Sequence, residues 1–127
     1  MAMRSFVIAI PLTLAALAGA CGKSSEPLSR GKPSPAQVLW DTKCAVCHGI
    51  TGAGNGPNAD QFDPRPHDYT DPAWQASVTD DQIKEIILRG GANMGKSAAM
   101  PSHTLLRDRP EVLDGLVKII RGLGKHP

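Results

Sequence analysis

The chain has 127 residues, which is about the length of one small domain. It carries 14 basic and 12 acidic side chains, for a formal net charge of +2 at pH 7. The basic residues are scattered rather than gathered into a stripe, which argues against a nucleic-acid-binding protein. The five aromatic residues are few for this length, so the core that the side chains alone can build is thin.

The first twenty residues have the pattern of an export signal. Arg4 gives a positive start, residues 6–17 are mostly apolar, and small residues occupy positions 18–20 before a cleavage site. The apolar run is too short to span a bilayer in the mature protein. We therefore predict a signal peptide over residues 1–20 and an exported protein.

Cys21 follows the predicted cleavage point directly. Its surroundings look like the lipobox of a bacterial lipoprotein, in which the cysteine is acylated and becomes the new N-terminus. Ordinary cleavage would instead leave a lone thiol, which is unfavourable in an oxidising compartment. We predict a lipid anchor on Cys21 and membrane attachment through it. The polar residues 21–33 then form a flexible tether to a domain over residues 34–124.

The domain opens with a helix start. Ser34 offers a capping hydroxyl, Pro35 suits the first helical position, and Gln37 is placed to complete a capping box. The helix carries Trp40 and is predicted to end near Gly49.

The strongest motif is the run Cys44-Ala45-Val46-Cys47-His48. C-x-x-C-H is typical of haem attachment, because two thiols one turn apart can reach both vinyl groups of one haem. The adjacent histidine can then bind the iron. A thioredoxin-like thiol pair or a zinc site shares part of this pattern, but no fourth zinc ligand repeats the spacing nearby. We predict one covalent haem c, with His48 as its proximal ligand.

Residues 49–80 contain many glycines and prolines, which favour an extended loop. A loop of this length needs a surface to wrap, and the haem would provide it. Arg65, Tyr69 and Trp74 are candidates for holding the haem propionates. The alternative is a solvated loop with one buried indole.

Two further helices are predicted after this loop. The first begins at Thr79 or Asp80 and ends at Arg89, before two glycines. Its apolar face is formed by Ile83, Ile86 and Ile87. The last helix begins near Pro110 and continues to about Leu123 with the same apolar period. No strand is predicted, so the fold class is all-α with about three main helices.

The sixth position of the iron decides the function, and five residues could fill it. The candidate thioethers and imidazoles are Met94, Met100, His67, His103 and His126. Met100 is favoured because it precedes Pro101 in a loop with small residues before it. That loop is also long enough to reach the far side of the ring. A methionine in a loop is otherwise a common core residue.

The motif and its surroundings resemble a class I c-type cytochrome. The likeness rests on CAVCH after a helix with an aromatic four residues before the first cysteine, then Gly56-Pro57-Asn58, then Met100-Pro101 and a terminal amphipathic helix. It covers residues 34–124 and is similar to the small monohaem cytochromes of bacterial respiratory chains. It implies the cytochrome c fold wrapped around one covalently bound haem.

The resemblance also implies roles for individual residues. Thioethers form at Cys44 and Cys47, while His48 and Met100 are the axial ligands. The carbonyl of Pro57 accepts a hydrogen bond from the non-ligating nitrogen of His48. Trp40 meets the C-terminal helix near residues 115 and 116.

The predicted function is that of a one-electron carrier in a bacterial respiratory or periplasmic chain. It is not an enzyme by itself, although it could be a subunit of an oxidoreductase complex. Its partners are a redox donor and an acceptor that bind transiently, and one ring edge near Ala45 and Val46 is expected to be exposed. The protein is placed on the periplasmic face of a membrane or in the periplasm. The alternative is a haem domain with an open or labile sixth position, acting as a gas sensor or redox enzyme subunit.

Overall fold

The structure is a computed structural model that describes residues 31–125. The predicted signal peptide, most of the predicted tether including Cys21, and His126 lie outside the described residues. Within residues 31–125 the chain is helical and contains no strand, so the predicted all-α class is confirmed. No helix in this part of the chain is both long and apolar enough to cross a membrane.

The N-terminal helical segment is continuous but not uniform. It consists of α1 (Pro35–Leu39), a π-helical turn (Trp40–Cys44) and α2 (Ala45–His48). The hydroxyl of Ser34 accepts a hydrogen bond from the Gln37 amide at 3.1 Å, as predicted. The Gln37 side chain does not complete a capping box, because it donates instead to Asp41 one turn further on, at 2.8 Å. Gly49 ends the segment at a φ of 80°.

The following segment contains one helix more than the sequence predicted. A 3₁₀ turn spans Ala59–Gln61, and α3 (Pro72–Ser77) interrupts what was expected to be loop. The prediction of a continuous loop was wrong here because α3 has its own start signals. The Asp71 side chain accepts a hydrogen bond from the Ala73 amide at 2.8 Å, and Pro72 occupies the first helical position.

The two remaining helices lie where the sequence predicted them. α4 (Asp80–Arg89) opens with a complete capping box between Thr79 and Gln82. α5 (Pro110–Leu123) begins with proline at the first helical position. Short 3₁₀ turns at Ala92–Met94 and Thr104–Asp108 connect them.

The core forms where α1 crosses α5. A Cβ atom built on Gly115 would lie 2.6 Å from the Cβ of Ala36, so the two backbones approach closely. Trp40 is buried in the same cluster as Leu116, in agreement with the expected meeting of Trp40 with the C-terminal helix. The residue that packs directly on Gly115 of α5 is Ala36 rather than Trp40. This packing fixes the helix that carries the two cysteines.

Candidate functional site

A cavity of about 360 Å³ opens between the 62–69 loop, α3, α4 and the 94–100 loop. Its walls are mostly apolar. A second cavity of about 50 Å³ adjoins it and shares three lining residues with it: His48, Phe62 and Met100. Cys44 and Cys47 border this second cavity. The structure therefore places both thiols, the adjacent imidazole and the thioether of Met100 around two adjoining cavities.

His48 lies at the end of α2 with its ring inside the site. Burial, followed by repulsion from His67, lowers the pKa of His48 to about 4. The ring is therefore neutral at physiological pH, which is the form that binds a metal. It stacks on Tyr69 with ring centroids 4.7 Å apart, and its Nε2 lies 3.4 Å from the Tyr69 hydroxyl.

The other ring nitrogen of His48 does not make the hydrogen bond that the family resemblance implied. Nδ1 is buried and has no hydrogen-bond partner within the described residues, so the expected bond to the Pro57 carbonyl is not formed. Pro57 is exposed and borders neither cavity. The flanking amides hold this turn instead: Gly56 and Asn58 donate to the carbonyls of Cys47 and Val46 at 3.1 and 2.8 Å.

Both cysteines are half-buried free thiols. Burial, and then the neighbouring Cys47, raise the pKa of Cys44 to about 11. Burial also raises the pKa of Cys47. A reactive redox cysteine needs a lowered pKa, so this environment does not favour a thioredoxin-like thiol pair.

Met100 is held at the edge of the site by its own backbone. Its carbonyl accepts a hydrogen bond from the Gly91 amide at 3.0 Å, and its amide donates to the Ser97 carbonyl at 3.2 Å. A Cβ atom on Gly91 would collide with the Ser97 carbonyl and lie 3.1 Å from the Cβ of Met100. Glycine at position 91 therefore lets the loop close behind Met100.

The other candidates for the sixth position are distributed around the two cavities. Met94 and His67 border only the larger cavity, and His103 borders only the smaller one. Of the candidates that lie in residues 31–125, Met100 is the one that borders both.

A family model described as Cytochrome c matches residues 34–116. The chain belongs to the cytochrome c family. This membership confirms the cytochrome c fold and supports haem binding and electron transfer in general. No curated protein matches the chain.

The residues of this cytochrome fit a haem. A neutral imidazole and a thioether face one apolar space, and both thiols border its narrower part. The buried, unpartnered Nδ1 of His48 also shows that the imidazole is not fully engaged by the protein's own groups. An apolar cavity with a few convergent polar groups is the usual form of a cofactor site.

The three residues predicted to hold propionates all line the larger cavity. Arg65 is exposed and forms an ion pair with Asp60. Tyr69 is buried, which raises the pKa of its hydroxyl, and its ring lies 4.6 Å from that of Trp74. Their contact with propionates stays a prediction.

The structure adds one cationic residue, Lys96, and one histidine, His67, that the sequence reasoning did not assign to this wall. Lys96 and His67 line the same cavity as Arg65, and no acidic side chain is among its lining residues in the described part of the chain. Burial, and then Lys96, lower the pKa of His67. An excess of basic groups suits a ligand with carboxylates. Lys96 lies in a loop whose sequence has no helix or motif pattern, so its position at the cavity is seen only in the folded structure.

The haem edge is expected to be exposed near Ala45 and Val46, and the structure describes the burial of these two residues. Ala45 is buried and Val46 is half-buried, because the turn at Gly56 packs on their carbonyls. A Cβ atom on Gly56 would lie 2.6 Å from both carbonyl oxygens. Ala45 therefore contributes no exposed surface here, and the exposed haem edge near it stays a prediction.

Proposed function

We propose that this cytochrome is a one-electron carrier with one haem bound through thioethers to Cys44 and Cys47. His48 and Met100 are its axial ligands. The observation that carries the proposal is the position of Met100, which borders both the larger cavity and the smaller one that contains the thiols and His48. With both axial positions filled by the protein, no position is left for a substrate.

The haem supplies a ferric–ferrous couple, and the protein sets its properties. A thioether ligand favours the ferrous state and so raises the reduction potential. The apolar walls limit water near the iron, which acts in the same direction. His48 stays neutral because of its burial, and its ring is held against Tyr69. Arg65 and Lys96 provide positive charge at the cavity wall to offset the propionates.

The setting that we propose is the periplasmic face of a bacterial membrane, in a respiratory or periplasmic chain. It is supported by the signal pattern of residues 1–20 and by the position of Cys21 directly after it. A lipid on Cys21 would anchor the domain. A formal charge of +2 provides little long-range attraction, so we propose brief encounters with a redox donor and an acceptor.

Optical spectra of the purified, haem-loaded protein in both oxidation states test the ligation. We expect low-spin spectra in both states, with the weak ferric iron–methionine band at long wavelength. A high-spin ferric or five-coordinate ferrous spectrum would contradict the proposal. In that case an open sixth position, and a gas sensor or redox enzyme subunit, would become the better hypothesis. Mass spectrometry of the unfolded protein tests whether the haem remains covalently attached.

A further inference from the structure

One wall of the haem cavity is formed by a short helix that meets the core through side chains that are only partly buried. α3 has six residues and none of them is buried, yet Trp74 and Ser77 line the cavity together with Val78, which follows the helix. An isolated helix of this length is not stable in water, where about 12–15 residues are needed even for marginal stability. The position of this wall must therefore depend on other contacts.

Arg121 of α5 makes several of those contacts. Its guanidinium donates to the carbonyl of Gln75 at 2.7 Å and to the carbonyl of Val78 at 2.6 Å. It also donates to the Gln75 side chain at 3.0 Å and to the Asp80 carboxylate at 2.8 Å. These bonds satisfy backbone carbonyls near the end of α3 and tie α3 and the start of α4 to α5.

Gln75 connects the same network to Tyr69. Its side-chain nitrogen donates to the carbonyls of Tyr69 at 2.7 Å and Ile120 at 2.9 Å. The amide of Tyr69 donates to the Gly52 carbonyl at 2.7 Å. The backbone of Tyr69 is therefore held on both sides, and the Tyr69 ring stacks against His48.

We infer that Gln75 and Arg121 are positioning residues that hold the Tyr69–Val78 wall against α5 and so keep water out of the haem cavity. This inference rests on the proposed function. Neither residue needs to touch the haem, because they act through Tyr69, Trp74 and Val78. If the wall loosens, water enters and stabilises the ferric state, which lowers the reduction potential.

Two variants that conserve charge test this inference in the full-length, haem-loaded protein. Gln75→Leu removes the amide group from the network. Arg121→Lys keeps the charge but lacks the planar set of donors that several acceptors require. The control is Lys84→Gln, which breaks the ion pair to Asp114 at 2.7 Å between α4 and α5. Lys84 does not line the cavity. Because Lys84→Gln removes one positive charge, this control also shows whether a change of net charge alone shifts the reduction potential.

The readouts are the reduction potential, the rate at which imidazole binds to the ferric protein, and the urea midpoint of unfolding. We expect both network variants to have lower potentials than the wild type and severalfold faster imidazole binding. The Lys84→Gln variant should keep the wild-type values of both. A potential and imidazole rate equal to those of the wild type in Arg121→Lys would overturn the inference, even if its urea midpoint falls.

The two proposals fail in different ways. A wild-type protein without low-spin His/Met spectra overturns the proposed function and this inference with it. A low-spin wild type whose network variants lose only stability overturns the positioning role alone. If Gln75→Leu does not accumulate as folded protein, Arg121→Lys decides the question, since it retains the positive charge beside Asp80.

Discussion

The crossing of α1 and α5 allows a quantitative test of the packing. Gly115→Ala places a methyl group 2.6 Å from the Cβ of Ala36, which is closer than two carbon atoms can lie without a shift of the helices. Overpacking of this kind costs about 1–3 kcal/mol. Replacing glycine by alanine inside a helix contributes about 1 kcal/mol in the opposite direction. We therefore expect a net loss of about 0–2 kcal/mol in the free energy of unfolding.

The same helix offers a matched control. A Cβ atom on Gly122 meets no atom within 4 Å, so Gly122→Ala changes the helix propensity without a collision. This variant should gain up to about 1 kcal/mol. The difference between the two variants removes most of the propensity effect and leaves the overpacking cost of about 1–3 kcal/mol.

Urea unfolding of the haem-loaded proteins measures this difference. With a slope of about 2 kcal/mol per molar urea, the midpoint of Gly115→Ala should lie about 0.5–1.5 M below that of Gly122→Ala. Ala36→Gly should cost less in the Gly115→Ala background than in the wild type, because only there does it also remove a colliding methyl group. Equal midpoints for the two alanine variants would refute the close crossing.

Three further predictions concern the site and the anchor. Met100→Ala should leave the haem attached, lower the reduction potential and allow added imidazole to bind; an unchanged potential would show that another residue holds the iron. Cys21→Ser should move the protein from the membrane to the soluble fraction of cells, and continued membrane association would exclude the lipid as the anchor. Burial lowers the pKa of His48 from 6.5 to about 4, and an iron bound to the ring would compete with the proton as well, so the neutral ring persists as the pH falls through 6.5. The low-spin spectrum should therefore be constant from pH 7 to about 5; a spectral transition centred near pH 6.5 would contradict this.

Local chemistry made most of the helices predictable. Ser34, Thr79 and Pro110 each begin a helix for reasons contained in three or four neighbouring residues. The same signal was present at Asp71 and Pro72, but the many prolines around it favoured a loop. The haem motif was equally local, since its cysteines and histidine lie in one run of five residues.

The rest of the site depends on contacts between distant parts of the chain. Arg121 and Gln75 are 46 positions apart, and no periodic pattern joins them. Lys96 reaches the cavity from a loop whose path is set by the close approach of Gly91 to residue 97. The Pro57 hydrogen bond was expected from a family resemblance, and the local path of the turn determines whether it forms.

The π-helical turn divides the first helical segment into two parts with separate tasks. The amide of Ala45 bonds to the carbonyl of Trp40, one residue further back than in an α-helix, so the turn holds one extra residue. Ala36 faces the core before the turn and Trp40 does so at its first residue, whereas Ala45 faces the core after it, five positions beyond Trp40. The wider turn accommodates the extra residue and still keeps Trp40 and Ala45 on the same face. Without that residue the two would stand four positions apart, which a regular α-helix also places on one face. The turn therefore adds one residue beside the C-x-x-C-H run while the core contacts before it and after it stay in register.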